Sequence, residues 1–111
     1  MNVTYISKKL QKLCNSEDRL RSEYGDRMAA KIMTRLEDLD GAENLMVMRM
    51  LPGRCHELSG DRAGEFAVDL VHPNRLVFRP DHDPVPRNES GMLLWDKVTK
   101  IVIVEIVDYH N

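Results

Sequence analysis

Phe66-Ala67-Val68-Asp69-Leu70-Val71, His72-Pro73-Asn74 and Arg75-Leu76-Val77-Phe78-Arg79 are the consecutive pieces on which the fold turns. The first and last are short apolar runs rich in β-branched and aromatic residues, and the middle one is a turn, so the stretch predicts a strand, a turn and a second strand. Downstream, Pro80 to Asn88 holds three prolines among charged residues, too many for a central strand, and predicts an exposed loop over about 80–97. Ile101-Val102-Ile103-Val104-Glu105-Ile106-Val107 follows, nearly continuous in apolar side chains, as expected of a strand buried on both faces. Upstream, Gly60-Asp61-Arg62-Ala63-Gly64 reads as a hairpin connection behind a brief strand at Cys55 to Leu58.

Before Leu51-Pro52-Gly53 the period changes. Leu20, Tyr24, Met28, Ile32, Leu36 and Leu39 recur at helical spacing and line one face of an amphipathic helix. Ser16 is placed to cap it, with Glu17 and Asp18 complementing the positive end of its dipole. Gly25 is either tolerated within this helix or ends one helix before Asp26 caps the next. A shorter helix is expected around Ser7 to Leu13, and Val3 to Ile6 as a short edge strand. Met46, Met48 and Met50 alternate, which suggests core packing more than an adaptable contact surface. The expected fold class is α+β: one domain over residues 1–111, helical over 7–45, with a mostly antiparallel sheet of four or five strands over 54–108.

The length of 111 residues leaves no room for a separate cofactor domain. With 42% hydrophobic and 31% charged residues the composition is globular rather than disordered or fibrous. No apolar run approaches the ~20 residues that span a bilayer, and the first residues turn charged where a signal peptide needs its apolar stretch. A cytoplasmic protein without a membrane partner is therefore expected. Cys14 and Cys55 are too few for a disulfide framework and lack metal-site spacing, so reduced thiols packed near the core are expected.

The formal charge is -2, which argues against a dedicated nucleic-acid binder if taken alone. Its distribution is uneven. Residues 81–111 carry 3 basic and 6 acidic side chains, whereas residues 49–80 carry 5 and 4. All five of those basic residues are arginine: Arg49, Arg54, Arg62, Arg75 and Arg79. Guanidinium groups suit phosphate, although arginines on a soluble surface are also ordinary.

No phosphate-binding glycine loop, His-Glu-x-x-His or nucleophile elbow is present. The chemistry-bearing residues are dispersed: His56, the arginines that follow it, and Tyr109 and His110 at the end. Cleaving RNA requires a base for the ribose 2′-OH, a cation for the phosphate and an acid for the departing 5′-oxygen. Histidine, arginine and tyrosine supply these without metal or cofactor, histidine because its intrinsic pKa of ~6.5 lies near working pH. Each also has a plain structural alternative: a hydrogen-bonded strand histidine, solvated arginines, an ordinary chain end.

The order His56-Glu57-Leu58-Ser59-Gly60-Asp61-Arg62-Ala63-Gly64, an apolar strand, Arg75-Leu76-Val77-Phe78, and a final strand running into Asp108-Tyr109-His110 resembles the HigB-type killer toxins of the RelE/ParE superfamily. The resemblance covers about residues 20–110. It implies a RelE-like α+β fold with a concave sheet face, a helix-turn-helix antitoxin as partner, and cleavage of mRNA in the ribosomal A site. It places His56, Asp108, Tyr109 and His110 in the active site, with Arg75 stabilising the phosphate. Arg54, Arg62 and Arg79 become RNA contacts, Arg62 in a supporting or structural role. Three departures from the family pattern stand out: Ser59 where lysine is common, Asn74 where an aromatic residue often precedes the arginine, and an acidic Pro-rich insertion before the last strand. Two other readings remain open: a non-catalytic protein of the same fold acting through its antitoxin complex, and a ParE-like gyrase inhibitor that would not need His56 or His110.

Overall fold

The computed structural model describes residues 1–108. The chain begins with β1 (Asn2–Tyr5) and continues through α1 (Lys8–Cys14), α2 (Glu17–Tyr24), α3 (Asp26–Gly41) and the single turn α4 (Leu45–Met48). The sheet strands follow as β2 (His56–Glu57), β3 (Phe66–Asp69), β4 (Asn74–Pro80) and β5 (Lys100–Asp108). Short 3-10 turns at Gly60–Arg62 and Trp95–Lys97 lie between them. The strand order is β1-β5-β4-β3-β2, antiparallel except where β1 runs parallel to β5 at one edge. This is the expected α+β class.

Local sequence explains the helix boundaries. Ser7 and Ser16 each accept from the backbone N–H three residues on, at 3.1 and 3.2 Å, and Asn44 does the same for α4. Gly25 divides what could have been one helix. At φ 83 it closes α2 by donating its N–H to Arg21, and its carbonyl accepts the first bond of α3 from Ala29. Asp26 is thus the first residue of α3 rather than its cap.

All four helices cover one face of the sheet. Leu20, Ile32, Leu39, Leu45 and Met48 meet Phe66, Val68, Leu76, Phe78, Ile101 and Ile103 there, all fully buried. Phe66 stacks on Phe78 at 6.0 Å and receives the Trp95 ring edge-on at 5.2 Å. Cys14 and Cys55 are buried and reduced. Burial pushes their thiols up to about 11 and about 12, as desolvation penalises the thiolate.

Three expectations are corrected. β5 is not buried on both faces: Ile101 and Ile103 face the helices, whereas Val102, Val104 and Val107 are half-buried on the other side. A register shift opposite Val77 and Phe78 inserts one extra residue, so that Ile106 still faces the helices opposite Leu76. The segment over 80–97 is not wholly exposed. Pro80 and Leu93 are buried, Trp95 packs on the core, and Arg87 forms a β-bridge with Leu93, so the segment is folded against the core at these points. Core packing holds for one of the three methionines: Met48, the last residue of α4, is buried, whereas Met46 and Met50 are exposed.

Candidate active site

The sheet face without helices carries the candidate residues. Strand alternation and register place His56, Ala67, Val77 and Glu105 in one row across β2, β3, β4 and β5, and Asp69, Arg75 and Val107 in the next. Ala67 and Val77 are fully buried, giving an apolar floor between charged positions.

Three of the residues singled out from sequence come together at one end of this face. Arg54, in the turn before β2, donates to both carboxylate oxygens of Asp69, from Nε at 2.6 Å and Nη2 at 3.2 Å. Arg75 approaches the same carboxylate, Nε to Oδ1 at 3.5 Å. His56 joins them through the backbone, its Nδ1 lying 2.6 Å from the Arg54 carbonyl oxygen. A carbonyl can only accept, so Nδ1 carries a hydrogen, and in the neutral ring Nε2 is the nitrogen with the lone pair. The hydrogen bond to Asp69 and then its charge hold the Arg54 guanidinium above its already high range.

The turn that makes this possible is conformationally costly. Gly53 adopts φ 116 and Arg54 φ 48. For a residue with a Cβ the left-handed region costs about 1–2 kcal/mol, offset here by the paired bond to Asp69. Only a small cleft of about 60 Å³ opens among Arg54, Asp69, His72, Asn74 and Arg75. Small-molecule pockets run to about 300 Å³ and above, so this end of the face is a shallow surface rather than a pocket. Larger clefts of about 420 and 510 Å³ lie on the helix side, and neither contains a candidate residue.

The other candidates stand apart. Arg62 reaches from its 3-10 turn to Glu65 at 2.7 Å and to Glu105 on β5 at 2.6 Å. Arg79 is exposed four residues along β4 from Arg75, about 13 Å at the usual strand rise of ~3.3 Å. Asp108 ends β5 opposite Asn74, one pair beyond Arg75 and Val107. Tyr109 and His110 lie outside the described residues. Among the described residues, no cluster of His, Cys, Asp and Glu has the makings of a metal site.

Sequence reasoning missed Asp69, Glu65 and Glu105, the carboxylates that hold the arginines. A signal existed: Asp69 and Glu105 are lone acids within otherwise apolar strands, where a charge persists only if paired. It also missed Arg35, a buried arginine on the core stripe of α3, which donates from Nε to the Asp69 carbonyl at 2.8 Å.

No protein-family model and no curated protein matches the chain. Several solved structures are similar to it. A YoeB/ParE toxin from Agrobacterium tumefaciens superposes with a TM-score of 0.59 at 14% identity, covering 99% of this chain and 100% of that one. YoeB in the YoeB-YefM complex from Staphylococcus aureus gives 0.58 at 18% identity, with 100% and 98% coverage. The YoeB dimer from the same organism gives 0.56 at 19%, again covering 100% and 98%. Over nearly its whole length, the chain is similar in fold to YoeB- and ParE-type toxins, at identities that speak to architecture.

Proposed function

We propose that the protein is the toxin of a toxin–antitoxin pair and acts as a metal-independent endoribonuclease on ribosome-bound mRNA. The observation that carries this reading is the contact of His56 with Arg54: the Nδ1–H is committed to a backbone carbonyl, which leaves Nε2 of the neutral ring as a proton acceptor on the sheet face where the Arg54 and Arg75 guanidiniums share Asp69. In the reaction, Nε2 of His56 takes the proton of a ribose 2′-OH and the 2′-oxygen bonds to the adjacent phosphorus. The bond from phosphorus to the 5′-oxygen then breaks, and that oxygen is protonated as it leaves. Arg75 stabilises the charge on the phosphoryl oxygens. The sequence resemblance places His110, with Asp108 and Tyr109, in the active site, and we assign the second proton transfer to His110.

The HigB-type assignment rests on the motif from His56 to Arg62 and the Asp108-Tyr109-His110 ending; the solved structures of similar fold are YoeB toxins. One of those is held in a complex with YefM, which supports a protein antitoxin here, of the helix-turn-helix kind in the HigB-type reading. Among the described residues no helix is long and apolar enough to cross a membrane, in keeping with action on ribosomes in the cytoplasm.

The charge pairing favours a second reading, a non-catalytic protein of this fold that acts through its antitoxin complex. Arg54 and Arg75 share Asp69, and Arg62 is held between Glu65 and Glu105, so much of the positive charge is already answered within the chain. Expression without a partner, followed by primer extension on ribosome-bound mRNA, separates the two. Growth arrest with new 5′ ends that vanish in His56→Ala supports the nuclease. Soluble wild-type protein that leaves ribosome-bound mRNA intact overturns it.

A further inference from the structure

We infer that Arg35, Gly53 and Asp69 are positioning residues that set which ring nitrogen of His56 carries its proton. The inference deepens the reading of His56 as proton acceptor, yet its readout is spectroscopic and independent of RNA cleavage.

Arg35 is the one buried charged side chain among the described residues, and it sits on the apolar stripe of α3 where a leucine would pack at lower cost. Its placement is tightly specified. Nε donates to the Asp69 carbonyl at 2.8 Å, and Nη1 lies 3.8 Å from the Asp38 carboxylate. The guanidinium lies against Gly53, so closely that a Cβ there would stand 2.8 Å from Nε and 3.1 Å from Cζ. From the other side, the Gly53 carbonyl accepts from the Asp69 N–H at 2.7 Å. Gly53 is therefore held between Arg35 and the end of β3, at a φ of 116 that other residues rarely adopt.

The direction in which the chain leaves Gly53 fixes Arg54. Its side chain is gripped by the Asp69 carboxylate, its backbone is left-handed at φ 48, and its carbonyl meets His56 Nδ1. Asp69 thus acts through three groups: its carbonyl on Arg35, its N–H on Gly53 and its carboxylate on Arg54. A neutral imidazole in water prefers the hydrogen on Nε2, the nitrogen that must be bare to accept a proton. The framework imposes the opposite tautomer, which is how a hydrogen bond at one ring nitrogen prepares the other.

The test is nitrogen NMR of the full chain, labelled with 15N, at mildly alkaline pH where imidazoles are neutral. Wild-type His56 is expected to show a protonated Nδ1 and a bare Nε2. Gly53→Ala forces its new methyl onto Arg35, and Asp69→Asn, at a half-buried position, removes the charged acceptor of Arg54. Each is expected to lower the ratio of Nδ1–H to Nε2–H about tenfold, the scale of one charge-assisted hydrogen bond. Ile32→Val, in the core of the same helix, lowers stability and is expected to leave the tautomer unchanged. Wild-type protein with the hydrogen on Nε2 overturns the inference, as does retention of Nδ1–H in Asp69→Asn and in any folded Gly53→Ala. An equal shift in Ile32→Val also overturns it, since the effect would then be general softening. The expected tautomers in a protein that cleaves no RNA would uphold this inference while removing the proposed activity.

Discussion

Nη2 of Arg62 lies 2.6 Å from Oε1 of Glu105, a contact that fastens the turn after β2 to β5, on the far side of β3 and β4. Val77, between these strands, is fully buried. Both partners are partly exposed, so the pair contributes about 0.5–1 kcal/mol to stability. Its effect on binding is larger in kind, because Glu105 adds negative charge to a face proposed to meet phosphate. Glu105→Gln is expected to lower the urea midpoint modestly and to tighten binding of short single-stranded RNA at low salt. The salt dependence should steepen by about 0.7 in logarithmic slope, one further phosphate contact. A flatter slope would contradict the placement of this face in RNA binding.

The spacing along β4 separates the roles of its two arginines. Arg75 shares Asp69 with Arg54 beside His56, whereas Arg79 lies at the other end of the strand. On ribosome-bound mRNA, under single-turnover conditions, His56→Ala and Arg75→Ala are each expected to reduce cleavage by ~10²-fold or more. His110→Ala should do the same if it supplies the second proton transfer. Arg79→Ala should cost less than about tenfold and act mainly through substrate affinity. Equal losses at Arg75 and Arg79 would mean that the reacting phosphate sits elsewhere.

The helices, the strand pair around His72 and the last strand were legible because each rests on local pattern: Ser16 as a cap, apolar runs bounded by turns; the break at Gly25 was one of two readings the sequence left open. The burial of β5 was not, since an extra residue opposite Val77 and Phe78 changes the alternation without changing composition. The segment over 80–97 reads as solvent-facing from its prolines, yet Leu93 is buried and Trp95 packs edge-on against the Phe66 ring. At the candidate site, His56, Arg54 and Arg75 stood out by residue type. Their association depends on Asp69, 15 residues from Arg54, and on the left-handed turn at Gly53 and Arg54, neither of which a spacing rule encodes.

Phe66 is the side chain on which the core and the far loop meet. It is fully buried, stacks on Phe78 and takes the edge of Trp95, above which Arg49 lies 4.7 Å from the ring centroid. Phe66→Ala is expected to cost about 3–5 kcal/mol, a cavity effect near the limit of what so small a domain tolerates. Arg49→Ala removes only a surface cation over a ring, about 0.5–1 kcal/mol, and should change the Trp95 fluorescence without moving the unfolding midpoint far. A loss above about 2 kcal/mol for Arg49→Ala would show that this contact supports the core as well as the ring.

The two buried thiols give stability a definite pH dependence. Burial raises Cys14 from an ordinary 9.0 to about 11 and Cys55 from 9.0 to about 12, the latter despite the nearby Arg49 charge, which acts in the other direction. Tyr5 and Tyr24 are also raised, first by burial and then by neighbouring negative charge. For such groups the unfolded chain releases its protons first as pH rises. Between about pH 9 and pH 11 the folded state therefore holds more protons than the unfolded state, and the slope of unfolding free energy with pH is negative. The stabilisation is fully present below pH 9.0 and is lost as pH rises through the folded values. Urea unfolding at a series of pH values is expected to show a midpoint that falls above pH 9, with a shallower fall in Cys14→Ala and in Cys55→Ala. At neutral pH both thiols should react with a disulfide reagent only at the rate of unfolding, because the thiolate is the nucleophile and burial suppresses it. Rapid labelling of Cys14 in native protein at pH 7, or a midpoint that rises between pH 9 and 11, would show that these thiols are more open to solvent than the fold places them.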